Sequence, residues 1–226
     1  AEPVADESEA PGRVVAARLL GLLGAGDSRA ASALIAATQT ALPDLRAQAL
    51  AALAGLDDAG TVPAVAAGLA AAEPAVRLAA LVTAEAYAGT PETVAGGRAL
   101  LDDADIDIRA RAVRFLARCE GEVAAAALLH GLNDAETDVC REALRGLTAA
   151  HFGEAHRDAT LALLFRPDGS LARDVVAALR RLGDTRSRAR LLRILALPEY
   201  IELHGVCIES LAGILAAGVD RAGEVA

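Results

Sequence analysis

Small and aliphatic residues return along this chain at a fixed phase. An apolar residue followed four, five and eight positions later by further small or apolar residues starts at Val14, Leu45, Val76, Ile108, Val139, Leu171 and Leu203, in steps of 31, 31, 32, 31, 32 and 32 residues. The clearest copy is Asp107 to Leu116, in which Ile108, Ala112, Val113 and Leu116 fall on one stripe of an amphipathic helix. In the first copy the same register holds Val14, Arg18, Leu19 and Leu22, with Arg18 the misfit. Gly- or Asp-containing turns follow each motif, at Gly26-Asp27, Asp57-Asp58, Gly89-Thr90, Gly121, Gly153 and Gly183-Asp184. Beyond each turn a second amphipathic helix is predicted, over about 28–38, 61–71, 91–102, 122–132, 155–165 and 186–196.

The residue before each motif is Arg13, Asp44, Ala75, Asp107, Asp138, Ser170 or Glu202. Asp and Ser in that column can accept a hydrogen bond from an unpaired first-turn amide, so the column predicts helix starts there. Residues 1–12 carry four acids and two prolines with no helical stripe, which predicts a flexible acidic lead. The repeat body is expected to span 13–217, with a tail at 218–226.

Composition supports helices. Of the 226 residues 57 are Ala, and the chain has no Trp or Met, two Tyr and three Phe. Ala, Leu, Arg and Glu are good helix formers, and a core of small side chains brings helices close together.

The unit resembles the HEAT repeat, and its short step is most similar to the HEAT-like units of the phycobilisome-lyase type. The residues that carry the likeness are Asp44-Leu45-Arg46, Asp107-Ile108-Arg109, the partial Val76-Arg77 and the Gly183-Asp184 turn. The resemblance implies an all-α fold, a right-handed α-solenoid of six to seven helical-hairpin repeats with motif helices along the concave side. It also implies that Arg46, Arg77 and Arg109 belong to an internal Asp-Arg ladder between neighbouring repeats. The chain departs from the family pattern at Cys140, Ala172 and His204, where Arg is expected, and at Phe152 and Ala216, where the turn Asp is expected.

Charge changes the picture in one region. All 22 basic residues are Arg, which fits the codon bias of a GC-rich bacterial genome, and the net charge is −9. That total argues against a whole-surface nucleic-acid binder. Residues 109–193, however, hold 15 Arg against 11 acids. Counting from each motif's first aliphatic residue, positions three, four, seven and eleven point away from the core stripe. Early repeats place Ala16, Ala17, Leu20, Ala47, Gln48, Ala51, Leu78, Ala79 and Val82 there. Later repeats place Arg111, Arg114, Arg118, Arg141, Arg145, Arg173 and Arg181 there, with Glu142 and Asp174 among them. The expected site is a groove that turns from apolar to basic and takes a protein segment with acidic or mixed acidic and apolar character. The competing reading is a solvated face of paired charges.

Catalytic chemistry finds little footing. The histidines His130, His151, His156 and His204 form no i,i+4 pair, and the chain has no His-Glu dipeptide of the kind the HEAT-like deoxyhypusine hydroxylase uses for metal. Asp102, Asp103, Asp105 and Asp107 crowd one connector, where capping and solvation are the expected role. Cys119 and Cys207 fall on apolar faces, whereas Cys140 is expected to be accessible. The expected function is a non-catalytic interaction scaffold without cofactor. The alternatives are a chaperone-like or lyase-type subunit related to bilin lyases, and a HEAT-like nucleic-acid binder. Three cysteines without metal spacing suit a reducing compartment, and no apolar run approaches the ~18 residues of a membrane span. The expected location is the cytoplasm, with export after signal removal as the alternative; oligomeric state is open.

Overall fold

The computed structural model describes residues 10–23, 28–56, 60–87, 90–166 and 169–223, and all regular structure among them is helical. In chain order the α-helices are α1 (Ala10–Leu23), α2 (Ser28–Ala37), α3 (Pro43–Leu53), α4 (Thr61–Leu69), α5 (Pro74–Ala84), α6 (Pro91–Ala99) and α7 (Ile106–Leu116). They continue as α8 (Gly121–Leu132), α9 (Thr137–Gly146), α10 (Glu154–Ala162), α11 (Ala172–Leu182), α12 (Arg188–Leu195) and α13 (Ile201–Gly223). The odd-numbered helices carry the repeated motif and the even-numbered ones are the predicted second helices. Single 3-10 turns at Leu100–Asp102, Leu163–Phe165 and Thr185–Ser187 account for the remaining residues of three of those segments. The turns Gly26-Asp27 and Asp57-Asp58, and Gly89, lie outside the described residues, as does most of the predicted lead. Helix α1 begins at Ala10, inside the 1–12 stretch, and α13 runs to Gly223, past the expected boundary at 217.

Two compact units divide the chain, one through Val123 and one from Ala124. In the first, α1, α3, α5 and α7 stack side by side while α2, α4 and α6 pack against the motif helices from behind. In the second, α9, α11 and α13 stack and α12 packs on α13. The core is the motif stripe itself. Leu45, Ala49, Leu50 and Leu53 are buried, as are Val76, Ala80, Leu81 and Ala84, then Ile108, Ala112, Val113 and Leu116, then Val139, Ala143, Leu144 and Leu147. Each fully buried Leu, Ile or Val contributes roughly 1.5–3 kcal/mol, and the second helices add Leu34, Val65, Leu69, Leu128 and Leu132 to the same core. The first copy departs from this: Val14 is half-buried while Arg18, Leu19 and Leu22 are exposed.

The predicted capping column is corrected. Asp44, Asp107 and Asp138 are not N-caps but second residues of α3, α7 and α9, where their charge still favours the helix N-terminus. Pro43 and Pro74 start α3 and α5 because a proline costs nothing at the first helical position, where its missing N–H has no partner to lose. In α7 the cap is Asp105, whose carboxylate accepts from the Asp107 amide at 2.9 Å. Ser170 lies two residues before α11, whose N-cap is Leu171.

Neighbouring repeats are also joined by hydrogen bonds that run backward along the chain. The Thr83 hydroxyl donates to the Leu50 carbonyl of α3 at 2.7 Å, and the Tyr87 hydroxyl donates to the Leu53 carbonyl at 3.0 Å and also to that of Leu56. In the second unit Arg181 donates to the Leu144 and Leu147 carbonyls at 2.7 and 3.1 Å. These carbonyls lie in or just after the last turns of α3 and α9, where an α-helix leaves its acceptors unpaired. Close approach is set by glycine: a Cβ on Gly97 of α6 would lie 2.7 Å from the ring of buried Phe115.

Candidate interaction surface

The motif helices present the expected row to solvent. Position seven is exposed in every repeat: Leu20, Ala51, Val82 and Arg114 in the first unit, Arg145, Ala177 and Glu209 in the second. Position four is not outward as expected. Ala17 is buried, and Gln48, Ala79, Arg111, Glu142 and Asp174 are half-buried, because side chains there turn toward the neighbouring motif helix. Between α1 and α3 the small residues Gly21, Ala51, Ala52 and Gly55 leave a shallow cleft edged by Arg18, Leu22 and Gln48.

The seven predicted Arg residues fall into two groups, one in each unit. In the first unit Glu85, which follows α5, takes Arg111 at 3.0 Å and Arg118 at 3.2 Å. Arg114 stands between them in sequence, exposed on the row. In the second unit Arg141 pairs with Asp138 and, at 3.2 Å, with Asp174 of α11. The Asp174 hydrogen bond outweighs desolvation and raises the Arg141 pKa. Arg145 pairs with Glu142 at 2.7 Å, and Arg181 is the donor to the end of α9. Arg173 is exposed and makes no ion pair among the described residues. Arg111, Arg141 and Arg181 therefore brace neighbouring motif helices, and Arg114, Arg118, Arg145 and Arg173 are the more exposed members.

Of the Asp-Arg ladder implied by the family likeness, the first unit holds an Asp rung at Arg77 and a Glu rung at Arg46. Arg46 bonds Glu73 at 3.0 Å, and Arg77 bonds both oxygens of Asp103 at 2.7 and 3.0 Å. Arg77 also donates to the Ala71 and Ala72 carbonyls, and Arg109 donates to those of Asp103 and Ala104. Burial pushes the Asp103 carboxyl up. The Arg77 hydrogen bonds, the Asp105 amide and the charges of Arg77 and Arg109 outweigh it, leaving the pKa below the ordinary carboxylate value.

The departure at Cys140 has a structural counterpart. Arg166 reaches the Cys140 sulfur at 3.1 Å and donates to the Asp134 and Ala135 carbonyls. Cys140 and Arg166 are 26 residues apart, the same spacing as Arg77 and Asp103, so the guanidinium has changed sides of the rung. Cys140 is buried, contrary to expectation, because the preceding loop and Arg166 close over it. Burial raises its thiol pKa above the ordinary value despite the nearby Arg166.

Sequence reasoning missed Glu85 and the pair Arg157–Asp184. Arg157 of α10 bonds both oxygens of Asp184 at 2.7 and 3.1 Å, and its guanidinium lies 5.5 Å from the Phe152 ring centre. Ser187 adds hydroxyl and amide hydrogen bonds to the same carboxylate. Burial raises the Asp184 pKa, and the bonds from Arg157 and Ser187 more than reverse that. The repeat pattern marks Asp184 as part of the Gly183-Asp184 turn, whereas nothing in the periodicity marks Arg157. His156 is buried, with Nε2 at 2.8 Å from the Ala125 carbonyl, and His151 lies in the turn, with Nδ1 at 3.1 Å from the Thr148 hydroxyl. Among the described residues no group of three His, Cys, Asp or Glu side chains could hold a metal ion. The acidic connector is engaged internally, since Asp103 bonds Arg77 and the Asp105 amide while Asp105 caps α7. No described helix is long and apolar enough to cross a membrane.

Residues 62–148 match the family model of HEAT repeats. No curated protein matches the chain. Among solved structures it is similar to a designed armadillo repeat protein, with a TM-score of 0.52 and 21% identity over 80% of this chain and 96% of that one. It is likewise similar to a computationally designed armadillo repeat protein for modular peptide recognition, with a TM-score of 0.51 and 16% identity over 80% of this chain and 98% of that one. The chain thus has the helical-repeat fold of these arrays.

Proposed function

We propose that the protein is a non-catalytic scaffold that binds a peptide or protein segment along the exposed motif-helix row of its first unit. The observation that carries this reading is the succession Leu20, Ala51, Val82 and Arg114, one exposed side chain from each stacked helix, with exposed Arg118 in the turn just after α7. Such a row offers apolar contact at one end and guanidinium groups at the other. An extended or helical segment with apolar residues followed by carboxylates is its complement, since guanidinium donors fit carboxylates in a fork. Armadillo proteins designed for modular peptide recognition share the stacked-helix fold, which supports a peptide as the kind of partner. Within HEAT-like proteins, the 31 to 32 residue step supports the short units of the phycobilisome-lyase type.

The test uses labelled peptides of equal length with acidic-apolar, basic-apolar and neutral sequences, followed by fluorescence anisotropy. The acidic-apolar peptide is expected to bind, and Arg114→Glu with Arg118→Glu to weaken it roughly tenfold or more. Arg145→Glu with Arg173→Glu, in the second unit, is expected to leave binding unchanged. Equal binding of all three peptides, or indifference to the first pair of substitutions, sinks the reading.

A further inference from the structure

Two helices carry core-type residues that stay exposed among the described residues. On α1, Val15, Leu19 and Leu22 are 56%, 49% and 71% exposed. Leu19 and Leu22 stand in the register that is buried as Leu50 and Leu53 in α3 and as Val113 and Leu116 in α7. On α13, Ile201, Ile208 and Leu215 are 70%, 58% and 53% exposed, and Gly205 and Ala212 lie between them on the same side. The spacing of seven places the three aliphatic side chains on one line of the helix, and the two small residues leave room for another helix to approach. Scattered surface leucines need no explanation, but a continuous stripe on a helix that elsewhere repeats as core does.

Charge says what kind of surface each stripe suits. The α1 stripe contains Arg18, exposed between Val15 and Leu22. The α13 stripe is flanked by exposed Glu202 and Glu209, and residues 194–216 contain no Arg. Packing α13 on a second α13 would set glutamates against glutamates, and packing α1 on α1 would set arginine against arginine. Packing α13 on α1 of another copy matches apolar stripe to apolar stripe and Glu202 and Glu209 to Arg18. We infer that this chain associates with itself head to tail, the outer face of α13 in one copy seated on the outer face of α1 in the next. The contact uses different surfaces on the two copies, so it extends into chains or closes into rings.

The experiment is sedimentation velocity of the full chain over a range of concentration. The expected result is a weight-average size that rises with concentration and falls with added salt, as exposed charge pairs require. Arg18→Glu alone, or Glu202→Arg with Glu209→Arg alone, is expected to raise the midpoint concentration roughly tenfold. The decisive sample is an equimolar mixture of these two variants, because each then offers the other a complementary face and association returns. All three substituted positions are exposed, and far-UV circular dichroism confirms that the variants fold. A wild-type chain that stays monomeric throughout overturns the proposal. So does association that ignores both charge changes, or a mixture no better than its components.

Discussion

Arg77 and Asp103 face each other through two parallel hydrogen bonds, Nε to Oδ2 at 2.7 Å and Nη2 to Oδ1 at 3.0 Å, and so tie α5 to the connector that leads into α7. Both side chains are largely buried, so removing one charge strands the other. Asp103→Asn is expected to cost about 2 kcal/mol of unfolding free energy, measured by urea denaturation at neutral pH.

Acid should erase that difference. Asp103 and Asp184 both have folded-state pKa values below their ordinary ones. The stability they contribute is therefore complete above the unfolded carboxylate value of about 3.9 and is lost as pH falls through the lower folded values. Wild type and Asp103→Asn should differ in Tm at pH 6 and converge as pH falls through the lowered folded value of Asp103. A gap that persists in acid would show that the substitution acts through packing instead.

The inverted rung at Cys140 and Arg166 can be turned back. Cys140→Arg alone places a second guanidinium against Arg166 in a buried position and is expected to cost about 2–3 kcal/mol. Adding Arg166→Asp recreates the Arg77–Asp103 arrangement at the same spacing of 26 residues and should recover most of the loss in Tm.

All three thiols should be slow to react in the folded chain. Cys119, Cys140 and Cys207 are buried, and burial raises the pKa of Cys140 and Cys207. Thiolate is the reactive form, so alkylation followed by mass spectrometry at neutral pH should label them only at the rate of unfolding.

Gly97 gives the sharpest packing test. An added methyl would fall 2.7 Å from the ring of Phe115, which is fully buried. Gly97→Ala should therefore lose about 1–3 kcal/mol by overpacking, even though alanine is the better helix former.

The helix pairs were legible in the sequence because burial in a stacked array repeats with the chain. Ile108, Ala112, Val113 and Leu116 each recur at a fixed step, and so does the environment that buries them. The helix starts fall a residue or two before the aspartate column, because Pro43 and Pro74 open α3 and α5 and the Asp105 carboxylate caps α7 ahead of Asp107. Helical projection marked exposed Arg114 and Arg145 but placed half-buried Arg111 outward as well, and the partners of these side chains were not legible. Glu85 lies 26 residues from Arg111 and 33 from Arg118, and Asp184 lies 27 from Arg157, distances at which no local rule pairs two charges. Exposure of Leu19 and Leu22 is likewise hidden in the sequence, since a repeat pattern assigns the same burial to every copy.

The hydrogen bonds from Thr83, Tyr87 and Arg181 to carbonyls of the preceding motif helix give the repeats an order of dependence. A repeat's last turn is finished by groups that its successor supplies, so α3 needs the residues of α5 and just beyond, and α9 needs α11. During synthesis such a helix emerges before its donors do and completes its end only when the next repeat has left the ribosome. Truncation from the two sides is correspondingly unequal: trimming from the front removes acceptors together with their helix, whereas trimming from the back strands them.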